Sequence, residues 1–165
     1  MPCRYPHEFD GRWRGDGKVW QFGLVVLDLD HFKNVNDTHG HSAGDRILEK
    51  VALTLRQALR DDDLVVRLGG EEFAVLLPSA TAAVTKRIAD RLATMIRAIE
   101  VSAEASEDQA VSITASFGVT VGGELRGQFV ELDQALLTAD RAMYAAKDAG
   151  RDGIKFLIFD DQVDN

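Results

Sequence analysis

Apolar positions run almost unbroken from Val19 to Leu29, through Phe22, Leu24, Val25, Val26 and Leu27. A run that short and continuous predicts a strand buried on both faces. The spacing then changes to three and four residues at Ile47, Leu48, Val51, Ala52, Leu55, Ala58 and Leu59, which is the dry stripe of an amphipathic helix. Residues 79–99 repeat that spacing with Val84, Ile88, Leu92, Met95, Ile96 and Ile99. So do Leu132, Ala135, Leu136, Ala139, Met143 and Ala146, in a helix that stops near Gly150. Between the first two of these helices lie two strand-like runs, Leu64 to Val66 and Phe73 to Leu77, closed by Pro78. Gly69 and Gly70 separate them, and glycine reaches the positive φ angles of a tight turn, so this stretch predicts a hairpin. Val111 to Val121 predicts a strand ended by Gly122-Gly123, with Gly118 marking a bend or a close approach. Ile154 to Phe159 predicts the last strand, residues 102–109 a polar loop, and His31 to His39 a short helix. Gly40 to Asp45 reads as a turn and a helix start, with Ser42 as N-cap.

Hairpin-linked strands interleaved with helices indicate an α+β fold. The order fits a ferredoxin-like or palm core: a mainly antiparallel central sheet of about five strands, flanked by helices, with a small hairpin added. A chain of 165 residues suffices for one core. Pro2, Pro6, Gly11, Gly15 and Gly17 break any periodicity before residue 18. The expected division is therefore an irregular segment 1–18, one domain over 19–160 and a tail 161–165.

Composition narrows the partners. A formal charge of −8 argues against a nucleic-acid backbone, which needs a basic face. Cys3 is the single cysteine, so no internal disulfide forms and a reducing compartment is expected. There is no run of 18 apolar residues and no signal-peptide pattern, and the expectation is a cytoplasmic chain without a membrane segment.

Two acidic segments carry the chemistry. Asp28 and Asp30 end the first buried strand, and Glu71 and Glu72 follow the glycines of the hairpin. A carboxylate among core residues is costly unless paired or bound to a cation. Asp30 has a second reading as N-cap of the following helix, and Gly-Gly with acidic neighbours has a second reading as a solvated turn. If the first strand and the hairpin strand are neighbours, Asp28 and Glu71 converge, and a divalent cation would join them. Oxygen-only ligands favour Mg2+, which completes its shell with water and substrate phosphates. The chemistry indicated is metal-assisted phosphoryl or nucleotidyl transfer. His39 and His41 resemble a metal pair, but their loop setting favours structural hydrogen bonding.

Asp28-Leu29-Asp30-His31-Phe32-Lys33-Asn34-Val35-Asn36-Asp37, then Gly40-His41 and Gly44-Asp45, then Gly69-Gly70-Glu71-Glu72-Phe73, resembles the GGDEF family of diguanylate cyclases. The match runs in order from about residue 22 to 156, and Gly-Gly-Glu-Glu-Phe is an accepted variant of the family's signature. The resemblance implies the palm-like sheet of nucleotidyl cyclases and an enzyme that joins two GTP into cyclic di-GMP. It implies Mg2+, with Mn2+ as an alternative, held by Asp28, Glu71 and the Leu29 carbonyl, with Glu72 as a further acidic catalytic position. Asn36 and Asp45 match the guanine-reading pair. Phe32, Lys33, His41, Gly69 and Gly70 fall among the substrate contacts, and Lys147 and Arg151 match cations for the terminal phosphates. Without the family, those two cations would read as complements to a helix C-terminus. Catalysis in the family needs a homodimer, since each subunit holds one GTP.

Arg60, Asp63 and Arg91 match the family's product-inhibition site for cyclic di-GMP; the competing reading of Arg60-Asp61-Asp62-Asp63 is a charged, solvated turn. Two departures stand out. The Asp-x-Leu-Thr stretch that usually precedes the first strand is absent, and Asp152 stands where the family carries Asn. With no dimerising or sensor domain in the sequence, a second functional class stays open: a module that binds cyclic di-GMP without turnover.

Overall fold

The computed structural model describes residues 21–103, 106–125 and 128–159. The expected N-terminal segment and C-terminal tail lie outside them. Among the described residues the elements run β1 (Gln21–Leu29), α1 (Phe32–His39), α2 (His41–Ala58), β2 (Leu64–Gly69), β3 (Glu72–Pro78), α3 (Ala82–Arg97), β4 (Glu100–Ala103), β5 (Ser106–Ser112), β6 (Ala115–Leu125), β7 (Gln128–Val130), α4 (Leu132–Asp148) and β8 (Ile154–Phe156). The main sheet has the order β2-β3-β1-β6-β7, with β8 added parallel to β6. All other ladders are antiparallel, as the α+β reading expects.

Each face of β1 feeds a different core, which is why its sequence is apolar at nearly every position. Val25, Leu27 and Leu29 join Phe73, Val75, Leu77, Phe117 and Val119 on the face covered by α2 and α3, where Ile47, Val51, Leu55, Leu92 and Ile96 are fully buried. Phe22, Leu24 and Val26 join Ala74, Ala135, Ala139 and Met143 on the face covered by α4. Helix α4 lies so close to the sheet that a Cβ on Gly118 would fall 1.8 Å from the Ala139 carbonyl oxygen. Only a glycine admits that approach, as the strand-interior glycine suggested.

Several local expectations are corrected. The polar stretch 102–109 is not a loop: β4 and β5 pair there as a two-stranded hairpin, held to the core by Val101 and Val111. The strand expected over Val111–Val121 is two strands broken after Ser112. The second continues past Gly122-Gly123 to Leu125, because ladders to β1 and β7 occupy both of its edges there. Ser42 is not an N-cap. Helix α2 starts two residues earlier than that cap would place it, with Gly40 at the cap position, and the Ser42 hydroxyl accepts from Arg46 inside the first turn. No helix among the described residues is long and apolar enough to cross a membrane.

Candidate active site

The sheet presents its chemistry at the end where β1 stops and the β2–β3 turn begins. Gly70 takes φ 49° in that turn, a left-handed angle that costs a residue with a Cβ and costs glycine little. The Arg67 guanidinium closes the turn by donating to the Gly70 carbonyl from Nε (2.9 Å) and Nη2 (2.6 Å). No heavy atom lies within 4 Å of a Cβ built on Gly69 or Gly70, so the backbone is open to a ligand.

Strands β1 and β3 are neighbours, and the register sets Glu72 directly opposite Asp28. Directly paired residues point to the same face, here the α4 face that also carries Ser116 opposite Asp28. Glu71 stands one residue away in the turn, where its carbonyl accepts the Leu29 N–H at 3.3 Å. Asp28 is 7% exposed. Its Oδ2 lies 2.8 Å from Nζ of Lys147, which also lies 5.4 Å from the centre of the Tyr144 ring.

Among the described residues no three His, Cys, Asp or Glu side chains form a ready-made metal cluster. Mg2+ does not require one: it is commonly bound by one or two carboxylates, with water and phosphates filling the octahedron. The donor set fits that ion. Asp28 is a nearly buried carboxylate whose present partner is a cation, and Glu72 opposite it, with Glu71 beside it in the turn, brings further carboxylates to the same end of the strand pair. His39 and His41 do not enter this set; His39 ends α1 and His41 begins α2.

Asp30 is not an N-cap either. Position Ncap of α1 is His31, in the left-handed region at φ 58°, with no side-chain cap. The Asp30 carboxylate turns instead into the sheet, accepting from Ser116 Oγ and Thr114 Oγ1 at 2.7 Å each and from the Asp152 N–H at 3.0 Å.

Asn36 lies against Gly44, the residue before Asp45, where α1 packs on α2. A Cβ on Gly44 would lie 1.9 Å from the Asn36 Oδ1, so the absence of a side chain at Gly44 makes room for Asn36, and Asp45, the next residue along α2, is exposed. Asp45 also lines a cleft of about 480 Å3 with Leu48, Arg56, Val65, Arg67 and Phe73. Lys33 and His41 are exposed, whereas the Phe32 ring is core and leaves only its backbone available. Arg151 is exposed on the corner after α4, with Arg151 at φ 64° and Asp152 at φ 43°. Two successive left-handed non-glycine residues cost on the order of 1–3 kcal/mol each. The corner is held by the Ala146 carbonyl, which accepts from Arg151 N (3.1 Å), and by an Arg97–Asp152 ion pair (2.6 Å).

Arg60, Asp63 and Arg91 gather at a separate corner after α2. Asp63 is 6% exposed, and its Oδ2 accepts the Arg60 N–H at 2.9 Å, while Arg91 donates to the Ala58 carbonyl. Asp63 is therefore part of the turn's framework, not a solvated charge; Asp61 and Asp62 are the exposed ones.

The family model for diguanylate cyclase GGDEF domains matches residues 7–153. The diguanylate cyclase DgcP of Pseudomonas aeruginosa is 41% identical over 133 residues, covering 80% of this chain and 19% of that protein. The crystal structure of the GGDEF domain of TpbB from Pseudomonas aeruginosa superposes with a TM-score of 0.72 at 36% identity, covering 86% of this chain and 84% of that one. The GGDEF domain of DgcB from Caulobacter crescentus, solved in complex with c-di-GMP, gives 0.74 at 29% identity, covering 83% and 78%. The chain spans only 19 to 38% of the length of the curated relatives it matches first.

Proposed function

Because the chain belongs to the GGDEF family of diguanylate cyclases, we propose that it joins two GTP molecules into cyclic di-GMP and releases two pyrophosphates. The observation that carries this reading is the meeting of Asp28, Glu72 and Lys147 at the open Gly69-Gly70 turn, where acidic ligands, a phosphate-binding cation and accessible backbone share one end of the sheet.

In this reading Asp45 accepts the two N–H groups of the guanine edge and Asn36 completes the pair, with His41 nearby at the start of α2. Adenine offers no such pair of donors, so the base is selected by hydrogen bonding. The first N–H groups of α1, at Phe32 and Lys33, have no intrahelical partners and suit a phosphate, with the Lys33 ammonium adding charge. Gly69 and Gly70 let the backbone approach the triphosphate. Lys147 and Arg151 take its terminal phosphates. Asp28, Glu71 and the Leu29 carbonyl would hold Mg2+, or Mn2+ in its place. A divalent cation bound there supplies charge neutralisation and a more acidic 3′-hydroxyl. Glu72, opposite Asp28, is the further acidic group able to hold a proton or the cation.

Each 3′-hydroxyl must reach the α-phosphate of the other GTP, so two chains face each other about a two-fold axis. Cyclic di-GMP returns as inhibitor at Arg60, Asp63 and Arg91, whose guanidinium groups suit phosphate and guanine edges. That corner is separate from the catalytic turn and would work without it, which favours a second reading: a cyclic di-GMP receptor without turnover. Incubation of the purified chain with GTP and Mg2+, followed by chromatography, separates the two. Cyclic di-GMP with two pyrophosphates each is expected; intact GTP from a chain that still binds cyclic di-GMP would support the receptor.

A further inference from the structure

We propose that Asp30 is a positioning residue for the terminal-phosphate corner, fixing Arg151 relative to the Asp28 end of β1. The proposal rests on the cyclase reading above. Asp30 is 4% exposed, and no cation contacts it among the described interactions. Its charge is stabilised by oriented donors alone: Ser116 Oγ on Oδ1, and Thr114 Oγ1 and the Asp152 N–H on Oδ2. Its own N–H donates to the Thr114 carbonyl at 2.8 Å.

Two of those donors belong to β6 and its approach, and strand pairing already fixes β1 on β6 through nine register pairs from Gln21 to Leu29. The sheet does not need Asp30 for its register. The contact that adds something is the third, to Asp152. Arg151 and Asp152 hold consecutive left-handed φ angles, which persist only where the surroundings over-determine them. Helix α4 contributes the Ala146 carbonyl, and α3 contributes Arg97, which also donates to the Asp152 carbonyl at 3.1 Å. Among the described hydrogen bonds of Arg151 and Asp152, the one to Asp30 reaches the strand bearing Asp28, two residues away; Gly153 is held to β6 by the Phe117 N–H (2.8 Å), and Lys147 reaches Asp28 from the end of α4. The Asp30 carboxylate, its orientation held by Thr114 and Ser116, thus fixes the Arg151–Asp152 backbone itself against the Asp28 end of β1, beside the Lys147–Asp28 pair that links the side chains.

The test is titration calorimetry of the whole chain with a GTP analogue carrying a non-cleavable α,β-methylene bridge, and with GMP, both in Mg2+. Guanine contacts serve both ligands, but the Arg151 corner serves only the triphosphate. Asp30→Ala should lower affinity for the analogue by roughly ten- to a hundredfold, the usual scale for losing an outer-shell orienter, and leave GMP affinity unchanged. Asp30→Asn should restore most of it, since its amide oxygen keeps the Thr114 and Asp152 contacts while the Ser116 hydroxyl turns to accept. Adding Asp30→Ala to Arg151→Ala should cost little more, because both act through one group. Should Asp30→Ala fail to fold, Thr114→Val gives the same selective loss. Equal loss for both ligands, or full additivity with Arg151→Ala, would overturn the proposal. A wild type that binds the analogue no better than GMP would instead sink the cyclase reading itself.

Discussion

Lys147 Nζ lies 2.8 Å from Asp28 Oδ2, so the chain's own ammonium neutralises the strand-end carboxylate that the family pattern assigns to the metal. Lys147 comes from α4, and α4 is set against β6 by the close approach at Gly118. The position of this cation is therefore a packing result before it is a catalytic one.

Removing the ammonium should leave Asp28 nearly buried without a cationic partner. Lys147→Met is expected to lower stability by about 1–3 kcal/mol. Mg2+ alone should then raise the melting temperature more in the variant than in the wild type, because a cation that binds the folded carboxylate stabilises it. Thermal unfolding with and without Mg2+ reads both effects. Equal Mg2+ shifts in the two proteins would mean that Asp28 is not a cation ligand.

Asp45→Ser should blunt the choice between GTP and ATP, since it removes the acceptor for paired guanine donors. Sites of this type discriminate by roughly 10^4 or more, and the variant should lose most of that. Competition kinetics with both nucleotides measure it. A wild type that accepts ATP as readily as GTP would remove the guanine-reading role from Asn36 and Asp45.

Gly118→Ala should destabilise by more than about 2 kcal/mol, because the atoms a Cβ meets are helix backbone and not flexible side chains. Gly69→Ala, with nothing within 4 Å of the new Cβ, is the control and should stay within about 0.5 kcal/mol. Denaturant midpoints compare them, and similar values would show that α4 yields easily.

Cyclic di-GMP binding should be abolished by Arg60→Ala and weakened by Arg91→Ala, and its inhibition should not be overcome by excess GTP. The arginines are the informative substitutions here, because Asp63 is 6% exposed and closes the turn itself. Calorimetry showing unchanged binding in Arg60→Ala would leave the corner as a structural turn.

The elements legible in the sequence were those that bury a long regular pattern. Strand β1 showed in its continuous apolar run, and α2, α3 and α4 in their three-and-four spacing, because each fills a core face along its whole length. The β4–β5 hairpin was missed since, among the described residues, its buried apolar anchors are Val101 and Val111, too few to print a period on a polar stretch. Strand β7 has three residues and carries no pattern at all. The acidic site was legible in kind but not in register. Which glutamate faces Asp28 depends on how β3 slides along β1, and tertiary pairing sets that: Glu72 is opposite, and Glu71 lies in the turn. Asp30 kept two readings because Asp before a helix looks the same whether it caps the helix or turns into the sheet. The available signal was Thr114 and Ser116, two hydroxyls entering an apolar strand that needed an acceptor.

The central claim is that the acidic ligands at this end of the sheet carry out cyclisation of GTP, and product chromatography on matched variants tests it most directly. Wild type, Asp28→Ala and Glu71→Ala would be incubated with GTP and Mg2+, with circular dichroism as the check on folding. Cyclic di-GMP from the wild type and a loss of most of it in both folded variants is the predicted result. Full cyclic di-GMP formation by either variant would contradict the assignment.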